Sequence, residues 1–491
     1  MVLSADDVFA AANDMESMLN QERTQLDVLR LYSTGKQRMP IVIPQDAPVE
    51  VREMARISRI NLIKIVIESL VESLFVDNFR SIDPPANPED DPAQAIWAVW
   101  QANRFDAKQS ALYRAVFEYG YAYERIVPGV DQRTGEKRPV MRAVSPRRMT
   151  ALYVDDNDDW PAYTFEKRRR GRHFIYELTD EQGLIYTLGR DDKGRFGLIG
   201  DPADTGLGYN PTVRFMDAED LDLEDEPVAL SLPAPAGNET CVVAGQVAPL
   251  MTLQDQADMT TFALKGAEWY SAFRQRYIKG WTPGNRGEKM RMGASQVWSF
   301  EDHPDDIELG EFNQTELSGF LNSRAETARF VATLSQTPVH ELIGELVNLS
   351  AEALAAAEAG RDRKTDERKT GMGESHEQSA QCIGDLIGVE VPDDFEVVWR
   401  DTSARAFSAV VDALGKLAQM LQIPPQMLWD RIPGFTRQDV ERAKLLAAQG
   451  DSLGQLTSLL DRQAGTVNPG TPQPGETQTQ SGLILPPGTR T

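Results

Sequence analysis

Two cysteines in 491 residues, Cys241 and Cys382, are too few for a disulfide framework or a structural zinc site. Buried free thiols in a reducing cytosol are the expectation. Histidine is equally scarce, with His173, His303, His340 and His376 scattered and none near a second His or Cys at ligand spacing. Structural or surface roles are expected for all four. His340-Glu341 opens like a zinc-protease helix, but the second histidine would fall at Gly344. His303 with Asp302, Asp305 and Asp306 is the remaining metal candidate, and reads more simply as an exposed acidic loop. Long apolar runs are missing too. The richest, Leu62 to Val76, carries Lys64, Glu68 and Glu72, so no membrane-spanning helix is expected. Met1 to Ala12 holds Asp6 and Asp7 where a signal peptide needs a basic flank, so export is not expected.

Catalytic signatures are absent as well. A phosphate-cradling loop needs glycines before a Lys-Ser or Lys-Thr pair, and no stretch supplies one. Gly206-Leu207-Gly208 is half a dinucleotide fingerprint, but Asn210-Pro211 replaces the third glycine and its helix. No Gly-x-Ser-x-Gly elbow occurs. No catalytic residue, metal or cofactor is assigned. Positive charge is also short, with 51 Lys plus Arg against 75 Asp plus Glu, a formal charge of -24. DNA binding rests on cations displacing counterions from phosphates, so a tight DNA binder is disfavoured. A wall past which DNA slides is not, because an acidic surface repels phosphates at short range. The basic run Lys167 to Arg170, flanked by Glu166 and Glu177, reads as a solvated loop at a turn. The acidic stretch Asp217 to Glu226 reads as a solvated connector.

The chain is ordinary in hydrophobic share (41%) and charged share (26%), as for a folded protein of about three structural units. Apolar spacing predicts helices over Ala5 to Tyr32, Val49 to Phe75, and onward from Pro92 through Trp97, Trp100, Phe105 and Phe117. Trp97 with Trp100, and Tyr119 with Tyr121 and Tyr123, are spaced for core packing. Tyr121 to Phe215 turns to short β-branched and aromatic runs punctuated by glycine, which predicts antiparallel strands. A long helix over Val247 to Phe273, an irregular insertion with a strand at Gln296 to Phe300, and a helix over Thr315 to Gln336 follow. Pro338 ends that helix. A further helix starts near Ser350, with Arg361 to Lys369 as an exposed face and a kink or break at Gly371 and Gly373. A strand at Glu396 to Trp399 and helices over 402–421, 425–430 and 436–449 close the folded part. The Pro-, Gly-, Thr- and Gln-rich stretch after Gly465 reads as disordered. The fold class is α+β, mainly helical.

Several segments, taken in order, form a distributed pattern. They include Tyr32 to Gly35, Asn61 with Val66, Trp100 to Asn103, Tyr119 to Ala122, Ser145-Pro146 and Gly208 to Pro211. The most specific is Ala272-Phe273-Arg274-Gln275-Arg276-Tyr277. Thr337-Pro338, Ser350 to Leu354 with Glu358, Trp399-Arg400-Asp401 to Asp412 and Lys416, and Pro433-Gly434 follow. Together these segments resemble the portal proteins of long-tailed bacteriophages, those of actinobacteriophages in particular, within the group similar to a Bacillus phage portal. The chain departs from that family's glycine- and asparagine-containing loop at Gly344 to Leu349, where Glu345-Leu346-Val347 precedes Asn348.

The resemblance implies a ring, usually of twelve copies, at the unique capsid vertex of a virion, with double-stranded DNA passing along its axis. It implies a wing (1–246), a first stem helix (247–273), a clip (274–313), a second stem helix (314–336), a tunnel loop (337–349), a wing helix and strand (350–401), a helical crown (402–450) and a flexible tail (451–491). Pro338, His340, Glu341, Glu345 and Asn348 become tunnel-loop candidates. Arg274, Arg276, Tyr277, Trp281, Arg286 and Trp298 become candidates for docking partners. Those partners would be the terminase large subunit, then the head-tail adaptor, with major capsid and scaffolding proteins around the ring. Assembly is expected in the host cytoplasm, without a membrane. Two other readings remain at this stage: an α-rich cytosolic interaction scaffold without a channel, and an enzyme whose site gathers distant carboxylates.

Overall fold

A computed structural model describes residues 2–81, 91–131, 133–154, 158–217, 245–272, 276–279, 308–311, 316–344, 351–400 and 407–420, with isolated positions between 424 and 447. Two units divide it, Met1–Ala406 and Phe407–Thr491. Helix α1 (Ala5–Ser33) starts where the Ser4 hydroxyl accepts the Asp7 backbone N–H, 3.3 Å, with Asp6 and Asp7 set against the helix dipole. Its buried face runs Val8, Ala12, Met15, Leu19, Leu26 and Leu29. The first four pack into a small core with Phe165, Tyr176, Leu178 and Leu188, and the last two belong to the main core. One amphipathic helix thus serves two cores.

The helix expected over Val49 to Phe75 is two, α2 (Val49–Ile57) and α3 (Leu62–Glu72). Asn61 divides them by capping α3, its side chain accepting the Lys64 N–H at 2.9 Å. The second helix stops at Glu72, short of the expected Phe75, and strand β1 (Val76–Arg80) follows. The next helix is likewise two, α4 (Pro92–Ala102) and α5 (Phe105–Tyr119), parted at Arg104, whose φ is +53°. Gly120 ends α5 at φ +89°, a conformation in which a side chain would be strained.

The β region forms two sheets. One orders β10 (Thr212–Met216), β2 (Tyr121–Val130) and β3 (Lys137–Val144), all antiparallel. The other runs β4 (Met149–Leu152), β5 (Tyr163–Arg170), β6 (His173–Thr179), β7 (Leu184–Arg190) and β8 (Phe196–Leu198), with β9 (Ala203–Asp204) also on β7. Lys167 to Arg170 therefore lie in a strand paired with His173 to Tyr176, which corrects the loop assignment. Lys167 sits over the Phe174 ring, 5.1 Å from its centroid, and Arg168 pairs with Glu177 across the ladder. Cross-strand pairing absorbs charges that the sequence presented as a solvated run.

The main core centres on Trp100, whose ring meets Phe105 at 4.6 Å and Phe79 at 5.6 Å between centroids. Tyr119, Tyr121 and Tyr123 are buried as the spacing predicted, and Trp97 packs on the same core. His376 is a core residue. It hydrogen-bonds Tyr113 Oη at 2.8 Å, and burial lowers its pKa to about 3. Helix α9 (Ala351–Ile387) delivers it, running 37 residues through Gly371 and Gly373 where a break was expected. Strand β13 (Glu396–Trp399) lies where predicted and closes antiparallel on β1.

A 3-10 turn (Ala248–Leu250) leads into α6 (Met251–Ala272), and α7 (Ser318–Ser335) packs against α6. Strands β11 (Arg276–Lys279) and β12 (Glu308–Glu311) pair antiparallel between them in sequence. The expected strand at Gln296 to Phe300 lies outside the described residues. A short helix, α8 (Val339–Ile343), occupies part of the expected loop. In the second unit α10 (Phe407–Met420) lies within the expected 402–421 helix. The other closing helices, the tail, Cys241 and His303 lie outside the described residues or at isolated positions. Cys382 is a buried free thiol, its pKa raised to about 12 by burial.

Candidate functional site

The helix pair α6–α7 is anchored at one end and carries the β11–β12 ladder at the other. The anchor is polar. Asp258 accepts the Ile60 N–H at 3.0 Å and the Gln37 amide at 2.7 Å. Gln254 accepts the Leu62 N–H at 3.0 Å, and the Tyr32 hydroxyl donates to Asp255 at 2.9 Å. The break between α2 and α3, where backbone groups lack helical partners, is thus completed by α6. Burial raises the carboxyl pKa of both Asp255 and Asp258.

A second joint ties the start of α6 and the end of α7 to α9. Lys364 Nζ donates to Gln246 Oε1 at 2.6 Å and to the Ser335 carbonyl at 3.4 Å. Arg368 Nε donates to Asp217 at 3.1 Å, and Gln246 donates to the same carboxylate at 2.6 Å. All four side chains are buried, so each charge depends on its partner. This corrects two sequence expectations. Lys364 and Arg368 belong to no exposed face, and Asp217 is no solvated connector. The signal was faint: Glu358, Thr365, Arg368, Met372, His376 and Ser379 bury one face of α9 at helical spacing, but most are polar, and hydrophobic periodicity does not register them.

At the turn from α7 to α8, Gln336 takes φ +57° and Pro338 precedes α8. Arg361 of α9 binds Glu341 at 2.6 Å and Glu358 at 3.3 Å, while His340 Nε2 lies 4.0 Å from Glu358. A cleft of about 910 Å³ opens here, lined by Arg329, Thr333, Gln336, His340 and Arg363 among others. Among the described residues, no group of three or more His, Cys, Asp or Glu is arranged to hold a metal ion, and no helix is long and apolar enough to cross a membrane.

The pair leaves several large apolar side chains exposed among polar ones. Phe330 and Leu334 of α7 are each 55% exposed, with Leu321, Met259, Trp269 and Val339 also projecting into solvent. On α6 the exposed positions Thr252, Gln256, Met259 and Ala263 recur at helical spacing, a face that mixes polar with apolar side chains.

Residues 19–452 match the family model for phage portal proteins of the SPP1 Gp6-like type. The chain belongs to that family. It is 24% identical to the portal protein of Mycobacterium phage D29, over 94% of this chain and 93% of that protein. It is 25% identical to the portal protein of Mycobacterium phage L5, over 78% of this chain and 76% of that one. A solved chain from the virion of a native gene transfer agent particle is 13% identical and covers 79% of this chain and 94% of its own, with a TM-score of 0.40. Family membership identifies a structural component of the phage particle and leaves the scaffold and enzyme readings without support.

Residues on which the portal resemblance rested are hydrogen-bonding joints. Tyr32 holds α6, Asn61 caps α3 while donating to the Ser33 carbonyl at 2.8 Å, and Asn103 spans Pro139 and Met141 of β3. Asn210 is buried and donates to the Thr179 carbonyl at 3.2 Å. Of the tunnel-loop candidates, Pro338, His340 and Glu341 come together against α9. Glu345 and Asn348 lie outside the described residues. Arg276 and Tyr277 lie on β11, although their side chains are not described; Arg274, Trp281, Arg286 and Trp298 fall outside.

Proposed function

We propose that this portal protein forms a closed ring, of twelve copies by family analogy, through whose axis double-stranded DNA enters and leaves the capsid. In this reading α6 and α7 are the stem, residues 274–313 the clip, 337–349 the tunnel loop and 402–450 the crown. Residues 1–246 and 350–401 form the wing. The clip receives the terminase large subunit during packaging and the head-tail adaptor afterwards.

The supporting observation is the short exposed apolar strip that Phe330 and Leu334 make on α7. Leaving Phe330 and Leu334 in water is unfavourable, by roughly 25 cal/mol for each Å² of apolar surface that could be covered. A head-to-tail ring covers such a strip on every copy. Copies carrying a net charge of -24 also line an axis with negative potential, which resists adhesion of phosphates. Electron microscopy of the purified chain tests this. Closed rings with a central hole wide enough for duplex DNA are expected, and monomers or compact dimers at micromolar concentration would overturn it.

A further inference from the structure

A different part of the molecule holds cationic charge in excess. In the six-stranded sheet, Glu166 is buried and meets Arg125 at 3.2 Å, Arg148 at 3.3 Å, and Arg142. Glu177 pairs with Arg125 and Arg168 at 2.5 Å each. Lys108 of α5 lies beside this cluster, and its ammonium makes one hydrogen bond, to the Met141 carbonyl at 3.3 Å. Five cations, of which Arg125 alone is fully buried, thus gather around the two carboxylates, and unbalanced charge is costly to the extent that it is buried. Glu124 is also near Lys108, and burial pushes its pKa up to about 8, which weakens its compensation of the ammonium.

The surplus opens onto space. A pocket of about 390 Å³ is lined by Lys108, Arg142, Arg148 and Glu166, with Ala111 and Val144 as its apolar wall. The Nε atoms of Arg125 and Arg142 are buried without a hydrogen-bond partner, so the cluster has donors to spare. Burial also lowers the Arg142 pKa, with Arg125 and Arg168 adding to the effect against Glu166, as expected where positive charge is undercompensated.

We propose that the Lys108–Arg142–Arg148 pocket is a binding site for a phosphate-sized oxyanion, which balances the arginines gathered around the buried Glu166 and locks α5 against the β3–β5 strands. A tetrahedral oxyanion presents acceptors in several directions and fits the fork of two guanidiniums with an ammonium. The volume exceeds what one phosphate needs, so the anion can be free or can be borne by a larger molecule such as a DNA strand.

Thermal unfolding of the full-length chain in phosphate and in chloride at matched ionic strength is the test. Phosphate stabilises folded proteins generally by exclusion from their surface, so the reading is the phosphate-specific rise beyond that of Lys108→Met and Arg148→Ala variants. Arg148 is more than half exposed, so its loss is compatible with folding. The rise from chloride to phosphate should be roughly 2 °C larger in wild type than in either variant. An equal phosphate effect in wild type and both variants would overturn the proposal. A duplex DNA arm assigns the source. Weaker duplex binding by the variants, with a shallower salt dependence, identifies a backbone phosphate, and unchanged duplex binding beside a retained phosphate effect identifies a free oxyanion.

Discussion

The main core around Trp100 and the α6–α7 pair meet the same chemical problem in opposite ways. Around Trp100 every large apolar group finds a partner within the chain, from Phe79 to Phe395, Trp399 and the buried His376. On the α6–α7 pair, polar groups are the well-satisfied ones, through Asp258, Gln254 and Lys364, while Phe330 and Leu334 face water. The body around Trp100 covers its large apolar groups from within the chain. The helix pair is held in place by polar joints and leaves Phe330 and Leu334 exposed.

The contrast breaks most readily at the α9 joint. Replacing Arg368 with Met leaves the buried Asp217 without its guanidinium and should destabilise the subunit by about 3–5 kcal/mol in chemical denaturation. Adding Asp217→Asn should recover most of the loss. An additive double variant would show that the pair is not what joins α9 to the helix pair.

A smaller effect concerns pH. Burial raises the Glu22 pKa from 4.5 to about 7, although the Tyr121 and Thr150 hydroxyls donate to its carboxylate and act the other way. The folded state then holds a proton that the unfolded state has released. Stability should fall as pH rises from about 4.5 to 7, by on the order of 2 kcal/mol from this group, and level off above. Glu22→Gln should remove that part of the slope; a slope unchanged in the variant would place its origin elsewhere.

The smallest effect on the subunit should come from the exposed strip. Phe330→Glu should shift unfolding by no more than about 0.5 kcal/mol, yet abolish rings in electron micrographs. A large loss of subunit stability would mean that the strip is covered within the chain, and the contrast drawn above would fail.

Much of this architecture was legible from one-dimensional pattern. The buried face of α1, the aromatic spacing of Trp100 and of Tyr119 to Tyr123, and the helix–insertion–helix order all carry local periodicity that survives folding. The breaks at Asn61 and Arg104 were not legible, because the helix-like apolar spacing continues across both. Pro338, His340 and Glu341, singled out from the family pattern, lie together at the turn from α7 to α8. Their partners Glu358 and Arg361 arrive on a helix whose buried face is polar.

The sequence by itself determined the family, the α+β class and the order of elements, because these rest on local spacing and on motifs read along the chain. Only the tertiary structure decided which charges are buried. Lys364, Arg368 and Asp217 read as surface residues until α9 brings them together, and Lys167 to Arg170 read as a loop until β6 pairs with them. The reason is physical: a charged side chain enters the interior only when its counter-charge comes with it. That counter-charge sits 151 residues away for Arg368, a separation at which sequence pattern carries no information about contact.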